Sequence, residues 1–217
     1  MTEMMDKKIE QGREYRSMTM EANADDDYMV VGYATTFNQP YHLYNTKDAK
    51  GNDIEVREQV DSNAFANTDM SDVIFQYDHE GRVFARLSNK TLEVMPDEHG
   101  LLVRAYLGGT DIGRNLYEEI KGGYTDKMSF GFTVEDDSMV YDNGGYLRTI
   151  KSIGKLYDVS AVSIPANNHT EISARKHCDG EIEMLETERA RAEEEARLLA
   201  EKRENLLKKL KGLKDGN

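Results

Sequence analysis

The stretch GGYTDKMSFGFTVED, residues 122–136, holds a serine inside an otherwise apolar run. Its middle is rich in aromatic and β-branched residues and is closed by acidic ones, a composition typical of a β-strand. Alternation along a strand places Met128 and Phe130 on one face, and Ser129 and Gly131 on the other. A glycine two residues after the serine leaves room for a backbone or a substrate beside the hydroxyl. The pattern fits either a structural strand with a small-residue face or a strand that presents a nucleophile.

A serine hydroxyl becomes a nucleophile beside a general base, and the sequence contains five histidines. His79 ends a short apolar strand, residues 73–78, where a rigid sheet can present an imidazole to a strand from another part of the chain. His169 follows Pro165 in a polar loop. His42 is predicted to lie in a loop, His99 in a turn and His177 in the polar stretch before the tail. His79 is therefore the first candidate for the base, and a solvated turn residue is the alternative.

An acid lies near the start of a further buried strand, residues 156–164, which Pro165 ends. Alternation places Asp158 and Ser160 on one face of this strand and Val159 on the other. Burying an unpaired carboxylate is costly. Asp158 is therefore predicted either to have a hydrogen-bond or ion-pair partner or to lie at the solvent-exposed end of the strand.

Three motifs occur in a characteristic order: YDHE at residues 77–80, KMSFGF at 127–132 and LYDVSAVSIPAN at 156–167. Together they resemble the tailed-phage prohead (head-maturation) serine protease family, which is related in fold to the herpesvirus assemblins. The likeness covers residues 27–173. Residues 60–65 also resemble the start of a family helix, with Asn63 in place of glycine.

The resemblance implies a catalytic triad formed by His79, Ser129 and Asp158. Assemblins use a histidine as the third member, so His169 is the alternative to Asp158. By the same resemblance, the backbone amides of Ala166 and Asn167 donate to the oxyanion. Assemblins carry two arginines in that loop, and this sequence has none there.

The family also implies a function, that of a serine endopeptidase that cleaves scaffold or capsid delta segments during phage head maturation and cleaves itself. The implied partners are the major capsid protein or a scaffold protein as substrate, and a second copy in a homo-oligomer, a dimer by resemblance. The implied location is the inside of the immature head in the host cytoplasm. Two alternatives stay open. One is a non-catalytic capsid assembly module; the other is an esterase or amidase using the same serine, which the absence of a G-x-S-x-G elbow disfavours.

Charge and composition restrict the partners and cofactors. The 217 residues include 28 basic and 41 acidic side chains, a net charge of −13, which argues against a nucleic-acid-binding or membrane-binding surface. The one cysteine, Cys178, excludes an internal disulfide and fits a reducing compartment. The histidines and acidic residues show no metal-ligand spacing, so neither a metal nor another cofactor is expected.

Several short strands in succession predict an α+β fold, mainly an antiparallel β-barrel of about seven strands with flanking helices; the assemblin-like form of that barrel comes from the resemblance. A hairpin is predicted at residues 142–145, because Asn-Gly-Gly is a strong turn sequence. A further turn at residues 154–155 would separate two strands. The other predicted elements are strands at 29–37 and 54–60, a short helix from Asn63, and a helix from Thr110 or Asp111 to residue 121.

The ends of the chain differ from its middle. Residues 1–27 are polar, lack an apolar segment of a signal peptide or membrane helix, and are predicted to be disordered. Residues 28–175 form the predicted protease domain, and residues 176–217 a charged helical tail. From 181 to 211 the tail contains neither glycine nor proline, and its imperfect heptads are interrupted by Arg189 and Arg203. It is either a solvated charged helix or a weak coiled coil or docking helix for a helical, scaffold-like partner.

Overall fold

The computed structural model describes residues 12–22, 28–163 and 170–214. In these ranges the protein is α+β, as predicted, with a long C-terminal helix. The strands are β1 Arg13–Ala22, β2 Met29–Thr36, β3 Tyr41–Lys47, β4 Asp53–Val60, β5 Ile74–Tyr77, β6 Glu80–Arg86, β7 Leu92–Pro96, β8 Gly100–Tyr106, β9 Lys127–Asp142 and β10 Gly145–Val162. The helices are α1 Asp111–Lys121 and α2 Thr170–Lys214. Within the described ranges, neither helix has a stretch long and apolar enough to cross a membrane.

The ten strands form one open sheet in the order β3-β4-β10-β9-β1-β2-β8-β7, with β5 attached to β10 and β6 attached to β5. The predicted closed barrel is wrong. Strand β10 pairs with β9 along one edge, whereas its other edge pairs in parallel first with β4, at Tyr146 to Ile150, and then with β5, at Asp158 to Ala161. Because one strand has two neighbours on the same edge, the sheet forks.

The β9–β10 hairpin has the predicted turn. Asn143 and Gly144, with φ of 49° and 80°, join the two strands, and positive φ at both positions matches the right-handed twist of a hairpin. The turn predicted at residues 154–155 is wrong, because β10 runs through that point without interruption. Instead, register shifts between Ile150 and Asp158 bend the strand, as β-bulges do.

Helix α1 packs against the main apolar core and leads the chain into β9. The Thr110 hydroxyl accepts a hydrogen bond from the Gly113 amide at 3.1 Å, which caps the predicted helix start. The short helix predicted from Asn63 is absent: residues 62–67 form turns, although the Asp61 carboxylate accepts the Asn63 amide at 2.8 Å as a cap would. Strand β3 contains His42, which was predicted to lie in a loop.

The first turns of α2 belong to the folded body. Ala174, Cys178 and Ile182 recur every four residues on one side of the helix and are buried. They pack on a second apolar cluster from the sheet, formed by Leu43, Tyr44, Ile54, Val56, Met139 and Tyr146. The helical tail is thus present, but its buried face crosses the boundary predicted at residue 176.

Strand β1 shows that the prediction of disorder for residues 1–27 is wrong for residues 13–22. Glu14 and Arg16 of this strand are buried because distant strands supply partners. Arg16 binds Glu58 of β4 at 2.5 Å and Glu14 at 2.6 Å, and Arg148 of β10 binds Glu14 at 2.8 Å and Glu58 at 2.9 Å. Asp137 of β9 also contacts Arg148, at 2.5 Å. Buried charges persist only when they are paired and hydrogen-bonded in this way.

This network lowers the pKa of a buried acid. Burial by itself raises the pKa of Glu14, but the ion pairs with Arg16 and Arg148 outweigh burial and hold that pKa at about 2, below its ordinary value of 4.5. The ionised form of Glu14 therefore stabilises the folded state.

The substitution Glu14→Gln tests this network. The folded-state pKa of Glu14 is depressed, so its contribution is fully present above about pH 4.5 and is lost as the pH falls toward about 2. We expect the variant to lose about 3–5 kcal/mol of unfolding free energy at pH 7, because buried arginines lose a partner. Its stability should also change less with pH between 4.5 and 2 than that of the parent.

The measurement is urea denaturation across that pH range, with Glu98→Gln, at an exposed turn position, as the matched control. A Glu14→Gln protein with the parent's stability and the parent's pH profile would contradict the network's role.

Candidate active site

The histidine of the YDHE motif stands on a tight turn. Asp78 and His79, with φ of 48° and 59°, are the two central residues between paired Tyr77 of β5 and Glu80 of β6. Positive φ is uncommon for residues other than glycine, although aspartate and histidine tolerate it better than most. His79 thus lies at the strand end where the sequence placed it, in a backbone conformation that surrounding contacts must hold.

Asp78 supplies those contacts. Its amide donates to the Ala161 carbonyl at 2.9 Å. Its carboxylate accepts the Ser163 amide at 2.9 Å and the Ser163 hydroxyl at 2.9 and 3.1 Å. These bonds tie the turn to the end of β10.

The imidazole of His79 contacts the carboxylate of Asp158, and both side chains are buried. Because an ionised carboxylate only accepts hydrogen bonds, Nδ1 of His79 donates to Oδ1 of Asp158, which leaves the Nε2 lone pair as the proton acceptor. The Ser160 hydroxyl donates to the same Oδ1 at 3.0 Å. Asp158 is therefore a buried acid with partners, the first of the two outcomes predicted for it.

Ser129 lies on the same sheet face as Asp158. In the strand register, Ser129 pairs with Ser160 of β10 on one side and with Ser17 of β1 on the other, while Asp158 pairs with Gly131. Paired residues share a face, so Asp158 lies diagonally from Ser129 across one strand spacing. The Ser129 hydroxyl is buried and has no hydrogen-bond partner among the described residues.

Gly131 has a different role from the predicted one. A Cβ atom at this position would lie 2.7 Å from Cε1 of Tyr15 and 2.8 Å from Oδ2 of Asp158. The space beside the serine is thus filled by the protein itself and not left for a substrate. The ring of Tyr15 in turn lies edge-on to the His79 ring, with 4.4 Å between centroids.

The remaining candidates fall into two groups. Three candidates lie outside the described residues. They are Ala166 and Asn167, predicted to donate to the oxyanion, and His169, the alternative third member of the triad. Cys178 is buried, and burial raises the pKa of its thiol to about 12, so the nucleophilic thiolate is not formed near neutral pH.

Sequence reasoning missed three residues of the site. Ser160 had a visible signal, since alternation already placed it on the face of Asp158. Tyr15 and Ser17 had none, because the polar N-terminal stretch gave no sign that a strand there would pair with β9.

Gly131→Ala tests the packing beneath the histidine. The added methyl group must displace either the Tyr15 ring or the Asp158 carboxylate, and such overpacking costs about 1–3 kcal/mol of unfolding free energy. We expect the downfield proton NMR signal of the His79 Nδ1 hydrogen to shift or disappear. The matched control is Gly154→Ala on β10, where the nearest atom to a new Cβ is 3.6 Å away. An unchanged signal in Gly131→Ala would contradict the assigned contact.

Comparisons with known proteins agree with the motifs. A family model described as caudovirus prohead serine protease matches residues 14–183. The prohead protease of Enterobacteria phage HK97 is 36% identical over 86 residues, which is 39% of this chain and 37% of that relative. The match thus spans little more than a third of the relative's length.

No solved structure matches the chain, so an assemblin-like fold stays a prediction. The family model, in contrast, covers β1, the His79 turn, the Ser129 strand and the Asp158 strand. The resemblance drawn from the three motifs is confirmed, and the chain belongs to the caudovirus prohead serine protease family.

Proposed function

We propose that this chain is a serine endopeptidase of phage head maturation that uses His79, Ser129 and Asp158. The observation that carries the proposal is the buried contact between His79 and Asp158 on the sheet face that also bears Ser129. The proposed substrates are scaffold or capsid delta segments, and the enzyme itself.

In the proposed mechanism, Oγ of Ser129 bonds to the scissile carbonyl carbon while Nε2 of His79 takes the hydroxyl proton. The tetrahedral intermediate then breaks its carbon–nitrogen bond, and the imidazolium gives the proton to the leaving amine. Water, activated by the same imidazole, hydrolyses the acyl-enzyme. Because Ser129 and His79 are both buried, a peptide reaches them only after a local opening.

Asp158 is proposed as the third member because its carboxylate holds Nδ1 protonated and stabilises the imidazolium. His169 remains the alternative. The amides of Ala166 and Asn167 are proposed as oxyanion donors, on the family resemblance alone.

The family membership supports the proposed setting. The enzyme would act inside the immature head in the host cytoplasm, on the major capsid protein or a scaffold protein, and as a homo-oligomer. The HK97 relative is itself named a prohead protease. The alternatives, a non-catalytic assembly module and an esterase or amidase, differ from this protease in serine labelling and in peptide cleavage.

Ser129→Ala should abolish processing when the chain is co-expressed with its own major capsid protein, with fragments read by mass spectrometry. The change removes one hydroxyl from a small-residue face and adds no volume, so the fold should persist. Ser138→Ala on the same strand is the matched control and should process normally. Normal processing by soluble Ser129→Ala protein would overturn the assignment.

A fluorophosphonate probe separates the alternatives, because it labels activated serines. The parent should be labelled and Ser129→Ala should not. Labelling without peptide cleavage would indicate an esterase, and an unlabelled, correctly folded parent would indicate an assembly module.

Asp158→Asn should retain the fold yet lower peptide turnover by about three to four decades, as loss of the triad aspartate does in serine proteases that have a Ser-His-Asp triad. His169→Ala should cost about tenfold or less if it only shapes the loop. Both variants are compared with the parent in peptide hydrolysis after their thermal melts are matched. A near-normal Asp158→Asn beside an inactive His169→Ala would make the enzyme a Ser-His-His protease.

A further inference from the structure

Helix α2 consists of a docked part and a projecting part. The docked part is held as far as residue 189: Glu186 accepts the Ala49 amide at 2.8 Å and the Tyr146 hydroxyl at 3.2 Å, and Arg189 stacks over the Tyr141 ring at 4.2 Å. Side chains from residue 190 to 208 are all exposed. The helix continues to Lys214, so about 25 residues, or roughly 37 Å of helix, project from the body.

The projecting part carries an apolar stripe. Leu199 and Leu206 are 69% and 61% exposed, and they are one heptad apart. Ala192 and Leu213 extend this row at the same seven-residue spacing. Ala196 and Leu210 belong to a second row, which Arg203 interrupts. A heptad stripe of this kind is the seam along which a second helix packs.

Charge along α2 is segregated into two blocks of opposite sign. In the projecting part, residues 190–195 contain three acidic side chains and one basic side chain, a net charge of −2. Residues 196–214 contain seven basic and two acidic side chains, a net charge of +5. The projecting part therefore begins acidic and ends basic, so two copies are complementary when one is reversed.

We propose that the projecting part of α2 pairs with α2 of a second copy of this chain in an antiparallel, two-fold symmetric arrangement. A parallel pair would place acid against acid and base against base, whereas the antiparallel pair places each acidic block against a basic one. This partner choice follows from the helix itself and is independent of the proposed proteolysis.

The heptads also suggest a register. A two-fold axis near residue 201 packs Ala196 against Leu206 of the second copy, so that small and large side chains alternate across the seam. The glutamates at 193–195 then lie beside the segment around Lys208 of the second copy. Arg203 faces Leu199, not another arginine, which accounts for the interruption in the stripe.

Light scattering after size exclusion tests the pairing. The full chain, of 24.7 kDa, should elute with twice that mass at about 100 μM. Replacing Glu193, Glu194 and Glu195 with lysine should yield monomers, because the acidic block is then basic. The matched control replaces Glu98, Glu118 and Glu119 with lysine, an equal change of charge at exposed sites on the body, and should stay dimeric.

Disulfide capture tests the orientation. A mixture of Ala196→Cys and Leu206→Cys proteins should form mixed disulfide dimers, whereas each protein alone should form few. The native Cys178 is buried and stays unreactive. A monomeric parent, a dimer that survives the Glu193–195 replacement, or stronger cross-linking by each protein alone than by the mixture would overturn the proposal.

Discussion

The antiparallel ladder between β9 and β10 is the constraint on which the site depends. It pairs Ser160 with Ser129 and Asp158 with Gly131, so Ser129 and Asp158 share one face by register alone. A slip of one residue would turn either side chain to the opposite, apolar face. The length of these strands, 16 and 18 residues, also lets β10 bind both β4 and β5, which brings the His79 turn to the same place.

A second constraint keeps β1 against that ladder. The guanidinium groups of Arg16 and Arg148 and the carboxylates of Glu14 and Glu58 are buried together, and each would be costly without the others. Their pairing fixes the register of β1, which in turn places Tyr15 beneath His79 and Ser17 opposite Ser129. A network of ions on one sheet face thus sets the packing of the site on the other face.

The site itself is built from short-range contacts around a strained turn. His79 lies at positive φ, and Asp78 fastens that turn to the end of β10. The absence of a side chain at Gly131 lets Asp158 and Tyr15 approach. The orientation of the imidazole therefore depends on β1, β9 and β10 together, and no one of these strands is sufficient.

Much of this could be predicted from local pattern. Alternation along residues 127–134 and 156–162 predicted the correct faces for Ser129 and Asp158. The capping residues predicted the bounds of helix α1 to within one residue. The strand-end position of His79 also followed from a short apolar run and a turn. Such features depend on residues close together in the chain, which is why the sequence alone contains them.

Other features depended on partners far away in the chain. The disorder expected for residues 13–22 gave way to β1, since Glu58 and Arg148 of distant strands complete the ion pairs of Arg16 and Glu14. The sheet is forked and does not form the expected barrel. The sequence of β10 contains no local pattern that indicates its pairing with both β4 and β5. The sequence by itself determined the strands that carry Ser129 and Asp158, the faces of these two residues and the family. The tertiary structure decided the openness of the sheet, the burial of the ions and the contact between His79 and Asp158, because each of these is made between residues distant in sequence.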